Sequence, residues 1–293
     1  MRHPDAPRFH QRGEGSGAER FGRPTRDPSL RLKNGFAQDD AIRGDSNCAT
    51  TDCHQALTIK FSKRGTIGLS MKRAAIPELL DTDSGTPAEI SASLADLRRI
   101  NRWFGGLATT QSLIERVASK LGTRSLSVLE VAAGPSEVPE LVRTKMQKRR
   151  IEIDVTLLDR AASHFGNRSN GSRAVVGDAL ALPFADASFD VVCSCLFAHH
   201  LGPAELVQFV NDGLRVGRTA VLINDLIRHP LHLALVHAGR PLYRSRLTQH
   251  DAPASVRQAY TQEEMLELLE QTKAVKAEIS RHYLFRMGVV IWK

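Results

Sequence analysis

The chain has 293 residues, of which 42% are hydrophobic and 25% are charged, and its formal net charge is +8. Such a composition is typical of a globular protein with one large or two small domains. No apolar run approaches the roughly 18 residues that span a bilayer, and no apolar core follows the basic N-terminal residues. We therefore expect neither a transmembrane segment nor a secretory signal.

The four cysteines fall into two close pairs, Cys48 with Cys53 and Cys193 with Cys195. The first pair lies in a polar segment without a second pair to complete a zinc site, so we predict no metal. Cys193 and Cys195 alternate within a predicted strand and are interpreted as small buried thiols. The set favours a reducing, cytoplasmic location.

Residues 1–70 have no helical or strand periodicity and are dense in glycine, proline and polar residues. This pattern predicts a disordered tail. Much of the positive charge lies here, but the basic residues do not cluster and aromatic residues do not alternate with them. We therefore expect a mildly basic tail rather than a nucleic-acid-binding patch.

The composition changes at Met71, and we predict a single domain over residues 71–293. A helical pattern runs through "PAEISASLADLRRINRWF" to Gly105 and Gly106, which are plausible helix stops. A second helix, "ATTQSLIERVASKLG", ends at Gly122. Residues 71–122 are thus predicted to form a helical N-terminal cap on the core.

From Ser125 onward, apolar strands alternate with amphipathic helices, which predicts a Rossmann-like α/β core over residues 123–293. We predict a doubly wound, mostly parallel, seven-stranded sheet whose last strand is antiparallel. Residues 228–260 interrupt the alternation and are too many for a simple connection, so a helical lid or substrate wall is expected there. The predicted strands are "SVLEVA", "IEIDVTLLD", "SRAVVGDA", "FDVVCSCLF", "TAVLINDLI" and two that share "AEISRHYLFRMGVVIWK".

Ligands of open α/β sheets bind outside the C-terminal ends of the strands, so the residues that follow each strand are informative. Asp159 ends the second strand, about 25 residues after Gly134 in the first turn, where a carboxylate can accept hydrogen bonds from a ribose diol. A helix-capping or turn aspartate is the alternative. Asp178, at the end of the third strand, favours the ribose role.

These segments resemble the class I S-adenosylmethionine-dependent methyltransferases. The resemblance lies in "VLEVAAGPSE", "VTLLDR" and "GDALALPFADASFDVV", and it extends from residue 71 to residue 293. The last motif resembles the small-molecule branch that acts on ubiquinone and menaquinone precursors and on polyketide or phenolic compounds. It implies S-adenosyl-L-methionine as cofactor and a small organic acceptor, with no nucleic-acid partner.

Carried over residue by residue, the resemblance implies a set of cofactor contacts at the strand ends. Glu130 organises the first loop, Asp159 holds the ribose, and Asp178 bonds the adenine amino group. Ala132 and Ser136 replace glycines of the family pattern, and we expect both to adopt ordinary backbone conformations because only Gly134 is retained where positive φ is needed. The implied cofactor-binding residues are Glu130, Ala132, Gly134, Asp159, Arg160, Asp178, Ala179 and Cys195.

His199 and His200 follow the fourth strand and are the candidate general bases, because histidine titrates near neutrality. A structural role in capping the next helix is the alternative, and His250 with Asp251 is a second possible acid–base pair. Three other functions stay open at this stage. They are a nucleic-acid or protein methyltransferase, a catalytically weak methyltransferase-like binding protein, and a nicotinamide-dependent dehydrogenase, which the missing glycines disfavour.

Overall fold

The computed structural model describes residues 71–82, 84–134, 137–165 and 172–293. The tail predicted for residues 1–70 lies outside these ranges, as do Cys48, Cys53 and Ser136. Everything below concerns the described residues, which belong to one compact unit.

The described chain contains a seven-stranded sheet in the order β3-β2-β1-β4-β5-β7-β6. Strands β1 to β5 pair in parallel, and β7 runs antiparallel to both β5 and β6. The predicted Rossmann-like sheet with an antiparallel last strand is confirmed. The strands are β1 (Ser125–Val131), β2 (Glu152–Asp159), β3 (Arg173–Val176), β4 (Phe189–Cys195), β5 (Gly217–Leu226), β6 (Lys276–His282) and β7 (Arg286–Trp292).

Helices cover both faces of the sheet, which explains why its strands are apolar without strict alternation. Helices α2 and α3 pack on one face, and α4 and α7 pack on the other. No helix in the described ranges is long and apolar enough to cross a membrane. The helices are α1 (Pro87–Trp103), α2 (Gly106–Leu121), α3 (Glu137–Lys148), α4 (Pro203–Val216), α5 (Pro230–Ala238), α6 (Arg246–Gln258) and α7 (Gln262–Leu269).

Local sequence signals fix several helix ends. Thr86 and Glu89 form a capping box at the start of α1, and Thr261 and Glu264 form the box predicted for α7. Gly122 ends α2 with a φ of 63°, a left-handed conformation that glycine adopts without a Cβ clash. These ends coincide with the predicted ones because capping depends on neighbouring residues only.

Residues 71–79, at the start of the predicted helical cap, form no helix. They run as a strap over the C-terminal edge of the sheet, and tertiary contacts replace helical hydrogen bonds. Arg73 donates to the carbonyls of Gln258, His199 and Leu201 at 2.6, 2.9 and 2.8 Å. In the inserted segment, α5 and α6 supply the helices that the sequence predicted.

The α4 face of the core yields a stability prediction. Phe209 is fully buried, so Phe209→Ala removes a ring from close-packed surroundings and leaves a cavity. We expect a loss of about 3–5 kcal/mol in the free energy of unfolding. Denaturant titration followed by circular dichroism measures it. Val275→Ala, at a side chain that is 81% exposed, is the control and should change stability by less than about 0.5 kcal/mol; equal effects would contradict the core assignment.

Candidate functional site

The candidate site is a cavity of about 1160 Å³ at the C-terminal ends of the parallel strands. In the strand order, β1 lies between β2 and β4, so the connections on either side of it leave in opposite directions and open a crevice there. The ends of β1 to β4 line one half of the cavity. The strap, α1, α5 and the β6–β7 turn line the other half.

Asp159 joins the first two loops of the site. Its Oδ2 accepts from the backbone N–H of Gly134 at 2.9 Å, and its Oδ1 accepts from the N–H of Ala161 at 3.2 Å. The side chain is buried and borders the cavity. The turn role considered from the sequence is therefore present.

The backbone of the first loop differs from the expectation for Ala132. Ala132 has a φ of 54° and Gly134 a φ of 51°, so the prediction of an ordinary conformation at Ala132 is wrong. A left-handed conformation costs a residue with a Cβ about 1–2 kcal/mol. Leu196, at the end of β4, has a φ of 57°. Both strained residues border the cavity, where such strain commonly accompanies a function.

The adenine-side candidates lie at the next strand ends. Asp178 is exposed, and its Oδ1 accepts from the N–H of Leu180 at 2.9 Å, while Ala179 lines the cavity beside it. Arg160 is also exposed, but its guanidinium donates to the carbonyl of Asp81 in the strap. Arg160 therefore links the strap to the end of β2.

Glu130 and the two cysteines occupy adjacent strands. Glu130 is buried, and burial raises its pKa to about 7 although the Cys193 thiol hydrogen-bonds to it. Cys193 is buried as predicted, whereas Cys195 borders the cavity and its sulfur accepts from Asn224 Nδ2 at 3.4 Å. Burial raises the pKa of Cys195 to about 12. This thiol is therefore neutral in the physiological range.

His199 lies inside a buried charge network. Its Nδ1 is 2.7 Å from Asp225 Oδ1, and its Nε2 is 3.4 Å from Glu78 Oε1. Burial favours the neutral ring, but the carboxylates of Asp225 and Glu78 outweigh burial and raise the pKa of His199 to about 10. A ring that is already protonated at neutral pH is not available to accept a proton.

His200 is more accessible than its neighbour. Its Nδ1 is 2.9 Å from Asp81 Oδ2, and its side chain is 22% exposed at the cavity wall. The donor atoms of Glu78, His199 and His200 lie within 4.8 Å of one another, close enough to surround a metal ion. Hydrogen bonds already engage Glu78 Oε1, which accepts from Ser255 and Gln258. We therefore interpret the three residues as an ion-pair network.

The second acid–base pair predicted from the sequence has a structural role. The Asp251 carboxylate accepts from the N–H groups of Leu79 and Leu80 at 2.8 and 3.1 Å, and His250 Nδ1 lies 2.9 Å from the same carboxylate. This pair anchors the end of the strap to α6. Neither His250 nor Asp251 lines the cavity.

Sequence reasoning missed two cavity residues, His232 in α5 and Arg286 in β7. Neither belongs to a motif, and the sequence showed only a helical insertion and a closing strand at these places. Two features of the sequence could have indicated them. One is a histidine in the predicted substrate wall, and the other is a charged residue directly before the apolar run "MGVVIW".

The strained first loop leads to a prediction for Ala132→Gly. Alanine to glycine ordinarily costs about 0.5–1 kcal/mol, but here glycine also relieves the left-handed strain, so we expect unchanged or increased stability. Thermal unfolding of the full chain measures it. Ala92→Gly, in the middle of α1, is the matched control and should lower stability by about 1 kcal/mol. Equal losses in both variants would contradict the positive φ.

The His199 network leads to a pH prediction. The folded-state pKa of about 10 lies above the unfolded value of about 6.5, so the stabilising contribution is complete below pH ~6.5 and is lost as pH rises through 10. Unfolding titrations of the wild type between pH 6.5 and 10 should show falling stability. In His199→Gln this fall should be much smaller. Parallel curves for the two proteins would contradict the raised pKa.

Part of the chain matches a known protein-family model. Residues 129–221 match the family model described as "Methyltransferase domain". A search of curated proteins finds no match. These matched residues run from β1 into β5 and include the predicted cofactor residues.

Solved structures with the same fold include two plantazolicin methyltransferases. BpumL in complex with SAH has a TM-score of 0.57 at 11% identity, over 74% of this chain and 94% of that one. BamL in complex with a triazolic desmethylPZN analog and SAH has a TM-score of 0.54 at 14% identity, over 73% and 97%. At these identities the likeness concerns the fold. Together with the domain match, it shows that the chain carries a methyltransferase domain, whose matched part is residues 129–221.

Proposed function

We propose that the enzyme methylates a small organic acceptor of the phenol, quinol or polyketide type, bound in the same cavity as the cofactor. One observation carries the proposal: the cavity of about 1160 Å³ extends from the ends of the parallel strands into a chamber lined by α1 and α5. A volume above the usual 300–1,000 Å³ of a ligand site fits two molecules side by side.

The residues at the strand ends fit the cofactor. A Cβ built on Gly134 meets no atom within 4 Å, so the loop leaves open space toward a ligand. Asp159 and Asp178 present carboxylates at neighbouring strand ends, which suit a ribose diol and an amino group. Ala132, Ala179 and Cys195 border the same space. When bound, the cofactor supplies an electrophilic methyl group on a positively charged sulfur.

The chamber lined by α1 and α5 contains a cluster of aliphatic side chains, which supports an acceptor with an apolar or aromatic body. We propose that the cap of residues 71–122 and the inserted segment of residues 228–260 form its walls. These walls would mainly shape the chamber and exclude water. Holding the acceptor in line with the methyl group supplies much of the rate acceleration of a displacement reaction. The aliphatic residues of these walls include Leu94, Leu97, Leu235, Val236 and Leu242.

The predicted pair of catalytic histidines divides into two roles in this proposal. His199 is a positioning residue, since Asp225 and Glu78 hold its protonated ring. His200, whose Nδ1 contacts Asp81 and whose ring is partly exposed, is the member of the pair that could exchange a proton with a ligand.

The cellular setting is also part of the proposal. Cys193 and Cys195 are free thiols, which is consistent with a reducing, cytoplasmic location. We propose a small-molecule partner and no nucleic-acid partner. In support, "CLFA" follows the core of β4, where methyltransferases of nucleic acids or proteins commonly carry an "NPPY"-type tetrapeptide.

Calorimetric titration with S-adenosylhomocysteine tests the cofactor half of the proposal. We expect binding by the wild type and a loss of about 10- to 100-fold in Asp159→Ala and Asp178→Ala, because a hydrogen bond to a charged group contributes about 1.5–3 kcal/mol. Asp154→Ala, at a 67% exposed side chain on β2, is the control and should bind like the wild type. Melting temperatures check that each variant is folded.

Turnover of a phenol and quinol panel, with the labelled methyl donor, tests the acceptor half. Methylated product is the expected result. Cofactor binding without turnover of any panel member would contradict the proposed acceptor class and favour a catalytically weak binding protein. Absence of cofactor binding would contradict the proposed function as a whole.

A further inference from the structure

We propose that the acceptor carries an acidic hydroxyl, phenolic or enolic, which binds as an oxyanion beside Arg286 while His232 takes its proton. This inference rests on the proposed function and names the chemistry of its acceptor. It is carried by the juxtaposition of these two side chains at the acceptor half of the cavity.

Arg286 is a buried cation with neutral partners. It begins β7 opposite Leu226 of β5, and its side chain is almost completely inaccessible. Its guanidinium donates to the amide oxygens of Asn224 at 3.4 Å and Asn101 at 3.3 Å. In the described ranges it forms no ion pair, since the nearby Asp225 is engaged by His199.

An uncompensated buried charge is unfavourable, and burial accordingly lowers the pKa of Arg286. Arg286 borders the cavity and has donor groups beyond the two that the amides use. An anionic oxygen arriving from the cavity would supply the missing countercharge. A fork of donors of this kind suits an oxyanion better than a neutral ether or a hydrocarbon.

His232 supplies a neutral imidazole next to that cation. Its Nδ1 lies 3.0 Å from the carbonyl oxygen of Ile227, and this contact places the ring proton on Nδ1, because a carbonyl only accepts. Nε2 then carries the lone pair, and no other part of the described chain hydrogen-bonds to it. Burial, reinforced by Arg286 and His229, lowers the pKa of His232 to about 4. The ring is therefore unprotonated when a ligand arrives.

Phe285 packs against His232 and precedes Arg286 in the chain. The ring of His232 stacks on Phe285 with a centroid distance of 5.0 Å and an interplanar angle of 12°. The guanidinium of Arg286 is close enough to act electrostatically on the imidazole of His232, and both side chains border the cavity. Phe285 also offers an apolar surface to the body of an aromatic acceptor.

The proposed step moves one proton and one methyl group. The acceptor O–H bond breaks, and its proton moves to Nε2 of His232. The electron pair left on oxygen is held by Arg286 and attacks the methyl carbon, and the carbon–sulfur pair returns to sulfur as neutral S-adenosylhomocysteine. While Arg286 is unpaired it disfavours a second positive charge on His232. An oxyanion on Arg286 offsets this repulsion, so the imidazole holds the proton better once the acceptor is bound.

The test uses the full chain saturated with S-adenosylhomocysteine and three probes, namely 2-naphthol, 2-methoxynaphthalene and 2-naphthoic acid. Calorimetry measures binding, and ultraviolet difference spectra report whether bound 2-naphthol is ionised. We expect 2-naphthol to bind at least tenfold more tightly than its methyl ether and to show the naphtholate spectrum. Arg286→Met should abolish that spectrum, Arg286→Lys should retain part of it, and His232→Gln should reduce it.

Matched controls are Arg218→Met, at an exposed arginine at the other end of the sheet, and His237→Gln, at an exposed histidine of α5. Both should behave like the wild type. Equal affinity for 2-naphthol and its ether, no binding of 2-naphthol, or an unaltered spectrum in Arg286→Met would overturn the inference while cofactor binding persists.

Two further outcomes also overturn it. Tighter binding of 2-naphthoic acid than of 2-naphthol would assign the arginine to carboxylate acceptors. Loss of S-adenosylhomocysteine binding in Arg286→Met, with an unchanged melting temperature, would assign the arginine to the cofactor. Failure of the wild type to bind S-adenosylhomocysteine would instead contradict the proposed function itself.

Discussion

The buried ion pair between His199 and Asp225 is the interaction on which the geometry of the site depends. Asp225 lies near the end of β5, and His199 lies in the turn after β4. Glu78 of the strap approaches the same imidazole and is itself held by Ser255 and Gln258 of α6. Two strand ends, the strap and the inserted helix are thereby fixed to one another.

A buried network of this kind is more a determinant of geometry than a source of net stability. Removing ions from water is costly, and their mutual attraction compensates only when the remaining hydrogen bonds are satisfied. Here the backbone N–H groups of His199 and Leu226 also donate to Asp225. In the observed arrangement, the members of the network therefore satisfy one another. This arrangement places the strap over the cavity rather than in solvent.

The sheet supplies one part of the site, and the strap, α1, α5 and the β6–β7 turn supply the other part. The reversal of strand order beside β1 creates the crevice, and the loops after β1, β2 and β3 supply its polar groups. The strap, α1, α5 and the β6–β7 turn line the chamber, where aliphatic and aromatic side chains lie beside polar ones. His232 and Arg286 are the polar groups that we assign to the acceptor. In this account, one half of the cavity binds the methyl donor and the other half binds the acceptor.

The sequence predicted what depends on neighbouring residues and missed what depends on distant ones. Strand and helix order, the Thr261 capping box and the polar strand ends follow from local patterns, and the structure contains all of them. The positive φ of Ala132 was not predicted, because alanine by itself disfavours it. The raised pKa of His199 depends on Asp225 and then on Glu78, and the role of Arg286 depends on Asn101, all of them distant in the chain.

A crystal structure with S-adenosylhomocysteine and 2-naphthol would test the central claim most directly. The account predicts the ribose at Asp159, the sulfur beside Cys195, and the naphthol oxygen between Arg286 and Nε2 of His232, within reach of the sulfur. A ribose held elsewhere, or a sulfur that faces away from the chamber of α1 and α5, would contradict it.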